Sequence, residues 1–203
     1  MITKEPMIAR GPLVDLHRKS GATLETMDGW LIARRYPSEP APAGNAIVDV
    51  SHWTTYEING RATGDAVREL CGADLPVRGV HTGSGRFVYR LTPTRAIVFG
   101  GTLPPGDIVD VTGGWASISL LGPDATAILN KVTAVDLRER TLSAGGCCQG
   151  PLFAVNTLFG RFPGRFDLHV CTDSAEFFWE VLLDAGAEFD LRPAGIDVMQ
   201  AHV

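Results

Sequence analysis

The amino-acid sequence predicts an α+β fold made of two copies of one small unit. The main observation is an internal repeat. Ile47-Val48-Asp49-Val50-Ser51 leads to Trp53, then Ile58-Asn59-Gly60, an Ala/Val-rich stretch, and Ala73-Asp74-Leu75. Further along, Ile108-Val109-Asp110-Val111-Thr112 leads to Trp115, then Leu120-Leu121-Gly122, an Ala/Ile/Leu stretch, and Val135-Asp136-Leu137. Gly60 and Gly122, Asp74 and Asp136, and Arg78 and Arg140 pair at one common offset, and the opening pentapeptides need a one-residue gap. A strand, a Gly turn, a helix and an Asp-Leu exit recurring at fixed spacing mark a duplicated supersecondary unit. The second observation is composition. The chain has 203 residues, 45% of them hydrophobic and 20% charged, enough to bury a core in one large or two small modules. The modules are expected over residues 12–106 and 107–203, which together can form one compact domain, with residues 1–11 as a mobile arm.

Each element has its own signal. Pro12 to Ala22 predicts a short helix ending at Gly21, and Met27 to Tyr36 a strand or turn carrying Trp30. The prolines of Pro37-Ser38-Glu39-Pro40-Ala41-Pro42-Ala43-Gly44 remove amide donors and fix φ, so this is a loop inside a domain. Ile47 to Asn59 is β-rich. Asp65 to Cys71 is a helix with Ala66, Val67 and Leu70 at helical spacing. Arg86–Leu91 and Arg95–Phe99 form a hairpin about Thr92-Pro93-Thr94, and Gly100 to Gly106 is the module boundary. Ala116–Leu121 is a strand. Gly122-Pro123-Asp124 then opens a helix with Ala127, Ile128 and Val132 inward, Pro123 sitting where its missing amide proton is harmless. Leu152–Phe159 and Phe166–Val170 are strands around Pro163-Gly164. Ala175 to Ala187 is the clearest helix, capped by Asp173 or Ser174, favoured by Glu176 in its first turn, and buried along Phe178, Val181, Leu182 and Ala185. Asp190 to Val203 is expected to end in a last strand or helix turn.

Several function classes are disfavoured. A net charge of −5 gives no basic face for nucleic acid. No apolar run approaches the roughly 20 residues that span a bilayer, and Met1 to Arg10 has no apolar signal core, so a cytoplasmic protein is expected. Cys147 and Cys148 are adjacent while Cys71 and Cys171 stand alone, a spacing that fits neither C-x-x-C nor zinc. His17, His81, His169 and His202 show no ligand spacing, so no metal is expected. Gly83-Ser84-Gly85, Gly100-Gly101, Gly113-Gly114 and Gly145-Gly146 lack a phosphate-binding fingerprint and read as turns. No G-x-S-x-G nucleophile occurs.

Pro12-Leu13, His17, Gly21-Ala22, Gly29-Trp30, Tyr36 and above all Asp49-Val50-Ser51-His52 stand in the order of one family's N-terminal region. The chain resembles the folate-dependent glycine cleavage T-protein (aminomethyltransferase) superfamily. Its second half is similar to the gamma subunit of heterotetrameric sarcosine oxidase, a noncatalytic relative, through Leu121-Gly122-Pro123, Val135-Asp136-Leu137, Cys148-Gln149, Leu158-Phe159, Arg165-Phe166 and Phe178-Trp179. The resemblance covers most of residues 12–190. It implies two pseudo-repeated βαββαβ-type modules around a folate channel, without the C-terminal barrel of full-length T-proteins, and tetrahydrofolate as ligand.

The family's chemistry needs a carboxylate near the pterin nitrogens, with a pKa tuned by burial. The T-proteins carry it just before a Val-Tyr strand, here Phe87-Val88-Tyr89-Arg90-Leu91; the matching positions are Ser84 and Gly85, and no acid lies between Asp74 and Gly100. The family's second folate-binding carboxylate has no counterpart in Leu158 to Phe166, and in the closing Arg-Asp segment only Asp197 matches. The catalytic residues therefore remain unassigned. Trp53, His52, Arg86 and Tyr89 are the cofactor-binding candidates the resemblance implies. Trp53 either stacks on a pterin or packs in the core as its mate Trp115 would, and His52 either bonds the ligand or is a satisfied structural histidine. Arg86 or Arg90 either pairs a folate carboxylate or is a solvated hairpin arginine. Two functions remain open. One is an accessory subunit docked, through Phe153, Phe159 and Phe162, on a flavoprotein or sarcosine-oxidase-like partner. The other is an aminomethyltransferase, for which a homo-oligomer is the alternative partner, with Asp49, Asp74 or Asp197 brought into the pocket; a folate sensor without turnover is a third.

Overall fold

The computed structural model describes residues 7–41, 43–103 and 108–200. Much of the expected arm, the loop beyond Leu103 and the last three residues lie outside them. The chain opens with β1 (Ala9–Arg10), α1 (Val14–Lys19) and the hairpin β2 (Thr23–Met27) and β3 (Trp30–Arg35). The first repeat copy follows as β4 (Ala46–Asp49), β5 (Thr55–Asn59), α2 (Thr63–Cys71), β6 (Gly79–Gly83), β7 (Arg86–Thr92) and β8 (Arg95–Phe99). The second runs β9 (Ile108–Asp110), β10 (Trp115–Leu121), α3 (Ala125–Asn130), β11 (Cys147–Leu152), β12 (Val155–Phe162) and β13 (Arg165–Cys171). The chain ends with α4 (Ala175–Gly186), β14 (Arg192–Ala194) and α5 (Ile196–Gln200). The fold is mixed α+β and mostly sheet. Among the described residues no helix is long and apolar enough to cross a membrane.

The two copies build two sheets of the same order. One runs β6-β7-β8-β5-β9, the other β11-β12-β13-β10-β4-β14. Strand β4 thus pairs with β10 of the second copy, and β9 pairs with β5 of the first. The exchange is reciprocal and crosses the 106/107 division of the repeat. Each Asp-Val-Ser/Thr segment makes the same turn, Ser51 N donating to Asp49 Oδ1 and Thr112 N to Asp110 Oδ1, both at 2.9 Å. Each hydroxyl then accepts an amide of the opposite copy: Ser117 N to Ser51 Oγ at 3.0 Å, and Thr55 N to Thr112 Oγ1 at 2.9 Å. Gly60 and Gly122 turn the chain with φ of 112° and 115°, beyond the reach of most side chains.

Helices α3 and α4 cover the outer face of the larger sheet, where Ile118, Leu120, Ile128, Leu129, Phe178, Trp179 and Leu182 form the main core. Ala127 faces solvent while Leu129 points inward, because the six-residue helix rotates its apolar stripe by one position. Val181 is half-buried, with Trp179 taking its place in the α4 core. Neither Asp173 nor Ser174 caps α4 through its side chain; a 3₁₀ turn over Thr172–Ser174 leads into it instead. Val67 of α2 packs with Ile58, Val88, Ala96 and Val98 on the outside of the smaller sheet.

Between the sheets the two faces differ in chemistry. The smaller sheet presents Phe87, Tyr89, Ile97 and Phe99. Strands β10 and β13 of the larger sheet turn Ser117, Ser119, Arg165, Asp167 and His169 toward that side, all buried. All but the Arg165 Nε are hydrogen-bonded internally: Ser117 Oγ and His169 Nδ1 are 2.8 Å apart, His169 Nε2 and the Tyr89 hydroxyl 3.1 Å. The His169 ring stacks on Phe99 at 3.7 Å.

Burial, reinforced by the nearby Arg165 charge, pushes the His169 imidazole down from 6.5 to about 3. The native state therefore takes up no proton there between those values, whereas the unfolded chain does. This contribution to stability is full above pH 6.5 and is lost as the pH falls toward 3. Thermal melts should show Tm dropping from pH 7 to pH 4, at up to about 1.4 kcal/mol per pH unit for this group. His169→Gln should flatten that slope; an unchanged slope would mean that other groups set it.

Candidate functional site

A cleft of about 860 Å³ opens at one end of the molecule. Five segments converge on it. The β2–β3 hairpin brings Met27, Asp28 and Trp30; the turn after Asp49-Val50-Ser51 brings His52, Trp53 and Thr54. The β6–β7 turn supplies Gly85, Arg86 and Phe87, and the segment after β8 supplies Gly100 and Gly101. Ile196 and Met199 of α5 close the remaining side. The glycines are required by close approach. A Cβ on Gly100 would stand 2.6 Å from the Gly85 carbonyl, and one on Gly101 would stand 2.6 Å from Arg86 Cγ.

The floor is aromatic. Trp53 and Phe87 are stacked with centroids 4.9 Å apart, and His52 meets Trp53 edge-on at 6.4 Å. Behind Phe87 lies Arg165, 7% exposed, its guanidinium 5.3 Å from the Phe87 ring and 4.4 Å from that of Phe162. Arg165 Nη2 donates to Asp167 Oδ2 at 3.2 Å, while Nε lies 3.1 Å from Oδ1 without hydrogen-bond alignment. Burial raises the Asp167 carboxyl, and Arg165 and Ser119 pull it back only in part. A buried ion pair thus fixes the ring that forms half of the floor.

Of the cofactor-binding candidates, Trp53, His52 and Arg86 line this cleft. Arg86 makes no ion pair with any described residue. Burial lowers the His52 pKa, with Asp49 and Asp28 opposing, so the ring is neutral near pH 7. Its buried Nδ1 has no hydrogen-bond partner among the described residues. Tyr89 lies elsewhere, fully buried between the sheets against His169. Its phenol packs against Gly160, where a Cβ would stand 2.3 Å from Tyr89 Oη. Arg90 is turned away too, donating from Nη1 to Leu75 O at 2.6 Å.

None of the three acids proposed for the pocket enters it. Asp49 accepts from His17 Nε2 at 2.9 Å and Ser51 Oγ at 2.5 Å. Burial pushes its carboxyl up, but the bonds from His17 and Ser51 prevail and hold it below the ordinary carboxylate range. His17 in turn bonds the Tyr36 hydroxyl through Nδ1 at 2.5 Å, so this motif is a structural clasp. Asp74 pairs with Arg68 on the surface, and Asp197 with Arg34 and Arg35. Among the described residues the one carboxylate on the cleft is Asp28, exposed at the rim. Asp28-Gly29, with φ of 50° and 80°, forms the tight turn of the β2–β3 hairpin. An Asp-Gly pair between two strands was the signal that marks it. The expected aromatic docking patch does not form. Phe153 is 42% exposed, but Phe159 is in the main core and Phe162 packs on Arg165 and Phe87. Among the described residues no cluster of His, Cys, Asp or Glu converges to hold a metal.

Two like sheets with exchanged strands and an aromatic cleft at their end define a T-protein-like α+β fold. The family model described as the GCVT N-terminal domain matches residues 101–202, just over half of the sequence, and the chain belongs to that family. An aminomethyltransferase of Desulforamulus reducens is 24% identical over 225 positions, covering 93% of this chain and 61% of the relative. The chain spans about three fifths of the length of the curated relatives it matches. Among solved structures, the glycine cleavage system aminomethyltransferase T of Bartonella henselae superposes with a TM-score of 0.74 at 17% identity, over 94% of this chain and 60% of that one. A chain of the heterotetrameric sarcosine oxidase of Corynebacterium sp. U-96 superposes with a TM-score of 0.68 at 19% identity, over 89% of this chain and 95% of that one.

Proposed function

We propose that this protein is a noncatalytic, T-protein-like accessory subunit of an amine-oxidising or demethylating complex, its cleft kept for a folate. The observation that carries this is the chemistry of the cleft: a stacked Trp53–Phe87 floor and an Arg86 without an ion-pair partner, with no buried carboxylate lining it among the described residues. The family's transfer step needs an acid of tuned pKa beside the pterin; Gly85 is at the edge where that acid is expected, and Asp28 is solvated. The residues present fit tetrahydrofolate as a ligand. Trp53, backed by the buried Phe87 ring, offers a flat apolar face to the pterin ring, His52 Nδ1 an open hydrogen-bonding position, and Arg86 a planar cation for a carboxylate tail. When bound, tetrahydrofolate would act as the one-carbon acceptor. The protein's own part is to hold the ring and keep water from its face. The near-complete coverage of the sarcosine oxidase chain supports a flavoprotein partner of that kind.

The test is a titration with tetrahydrofolate followed by Trp fluorescence, with an aminomethyl-transfer assay on the same preparation. Micromolar quenching that Trp53→Ala abolishes, without transfer, is the expected result. No response at millimolar ligand would remove the folate, and turnover to methylenetetrahydrofolate would make the alternative, a tetrahydrofolate-dependent aminomethyltransferase, the correct reading. A flavin absorbance co-eluting with the chain from its source supports the partner; an isolated homo-oligomer argues against it.

A further inference from the structure

A second cavity, about 340 Å³, lies at the seam where the first strands of the two sheets meet. Gly79 of β6 and Gly146, beside β11, form a bridge there, and Cys147 N donates to Arg78 O at 2.7 Å. The walls carry Arg78, Thr92, Arg95, Cys147, Cys148 and Gln149. The cavity shares no residue with the aromatic cleft.

Its electrostatics are unbalanced. Arg95 is matched by Glu57, Nε to Oε1 at 2.6 Å. Arg78 makes no ion pair and no side-chain hydrogen bond with any described residue, and the same holds for the Gln149 amide. Both thiols are neutral near pH 7: burial raises Cys148, and pushes Cys147 up to about 12, against the pull of Arg78. Thr92 Oγ1 accepts from Thr94 N at 3.2 Å, which leaves its own proton free to donate. Arg78, Thr92 and Gln149 are all exposed, so the cavity is open to solvent, and Arg78 carries there a positive charge without an ion-pair partner among the described residues, beside neutral donors.

The backbone supplies an independent sign. Arg78 sits at φ 66°. This left-handed conformation crowds the Cβ of any residue other than glycine, and strain of this kind clusters at ligand sites. The turn itself would be easier with glycine, yet an exposed arginine stands there and lines the cavity.

We propose that this cavity binds a small oxyanion, a carboxylate or a phosphate, on the planar fork of Arg78. Gln149 and Thr92 donate the remaining hydrogen bonds. Cys148, half-buried in the wall, becomes shielded when the anion is bound.

Alkylation of the full chain by iodoacetamide, read residue by residue by peptide mass spectrometry, tests this. Acetate and inorganic phosphate are the probes, and exposed Cys171 is the internal control. The expected result is that one or both anions slow Cys148 alkylation severalfold and saturably while Cys171 is unaffected. Protection by acetate alone assigns a carboxylate, and by phosphate alone a phosphate. Arg78→Gly is expected to abolish the protection while leaving Tm unchanged or raised, and Arg78→Lys, which keeps the charge without the fork, to weaken it. Protection that survives Arg78→Gly, equal slowing at Cys171, no protection by either anion, or a lowered Tm in Arg78→Gly would each overturn the proposal.

Discussion

Arg165→Ala is expected to destabilise the protein by about 3–5 kcal/mol, the range for removing one partner of a buried ion pair. Asp167 is fully buried and its carboxyl is already raised by burial. Without the guanidinium only Ser119 Oγ, at 2.6 Å, would still bond it. The loss extends to the cleft, because Arg165 also packs on Phe87 and Phe162. Urea denaturation gives the stability. The double variant Arg165→Met with Asp167→Leu should recover most of it, since an apolar pair of similar volume replaces a buried ion pair at little net loss. If the single variant loses under 1 kcal/mol, the pair is not desolvated as described.

The second large effect separates the two glycines of the repeat. Gly60→Ala and Gly122→Ala place a methyl group at nearly the same φ, so the backbone strain, about 1–3 kcal/mol, is common to both. Nothing lies within 4 Å of a Cβ at Gly60. At Gly122 the Cβ would stand 2.7 Å from Asn45 Cα and 2.9 Å from Gly44 O, both backbone atoms that cannot swing away. Asn45 is itself buried, with Nδ2 donating to Asp124 Oδ2 and to Phe189 O, both at 2.8 Å, and Oδ1 accepting from Asp124 N at 3.1 Å. Displacing it disturbs the start of α3 and the 3₁₀ turn that follows α4 together. Gly122→Ala should therefore lose about 1–3 kcal/mol more than Gly60→Ala. Equal losses in parallel denaturation curves would mean that Asn45 yields freely.

These contrasts also show what the sequence makes legible. The repeat was readable because strand, Gly turn and helix are local features, and both glycines hold the conformation that their spacing implied. The pairing of β4 with β10 and of β9 with β5 was not, because nothing local distinguishes a strand that joins its own copy's sheet from one that joins the other's. Strand β11, Cys147-Cys148-Gln149-Gly150-Pro151-Leu152, escaped notice because its Gly and Pro weaken any strand signal. It stands at a sheet edge, where proline is tolerated. Arg165-Phe166-Asp167-Leu168-His169 alternates like a strand with one face in water, but that polar face is buried against the second sheet. The site divides in the same way. His52 and Trp53 could be placed from the motif that precedes them, and Arg86 from its hairpin. Tyr89 has the same facing parity as Phe87 on β7, but two residues along the strand carry it from the cleft floor into the space between the sheets. Asp28 reaches the cleft only because β2 and β3 fold over its mouth.

The reciprocal exchange of β4 and β9 has the topology of a domain-swapped dimer whose subunits have been joined end to end. Each copy lends the other a strand, so β5 and β10 are never left with a bare edge to pair with a neighbouring molecule. Cutting the chain between the copies would strip a strand from both sheets and open those edges to aggregation. The intact chain should melt in a single transition, its two look-alike halves unable to fold or fail one at a time.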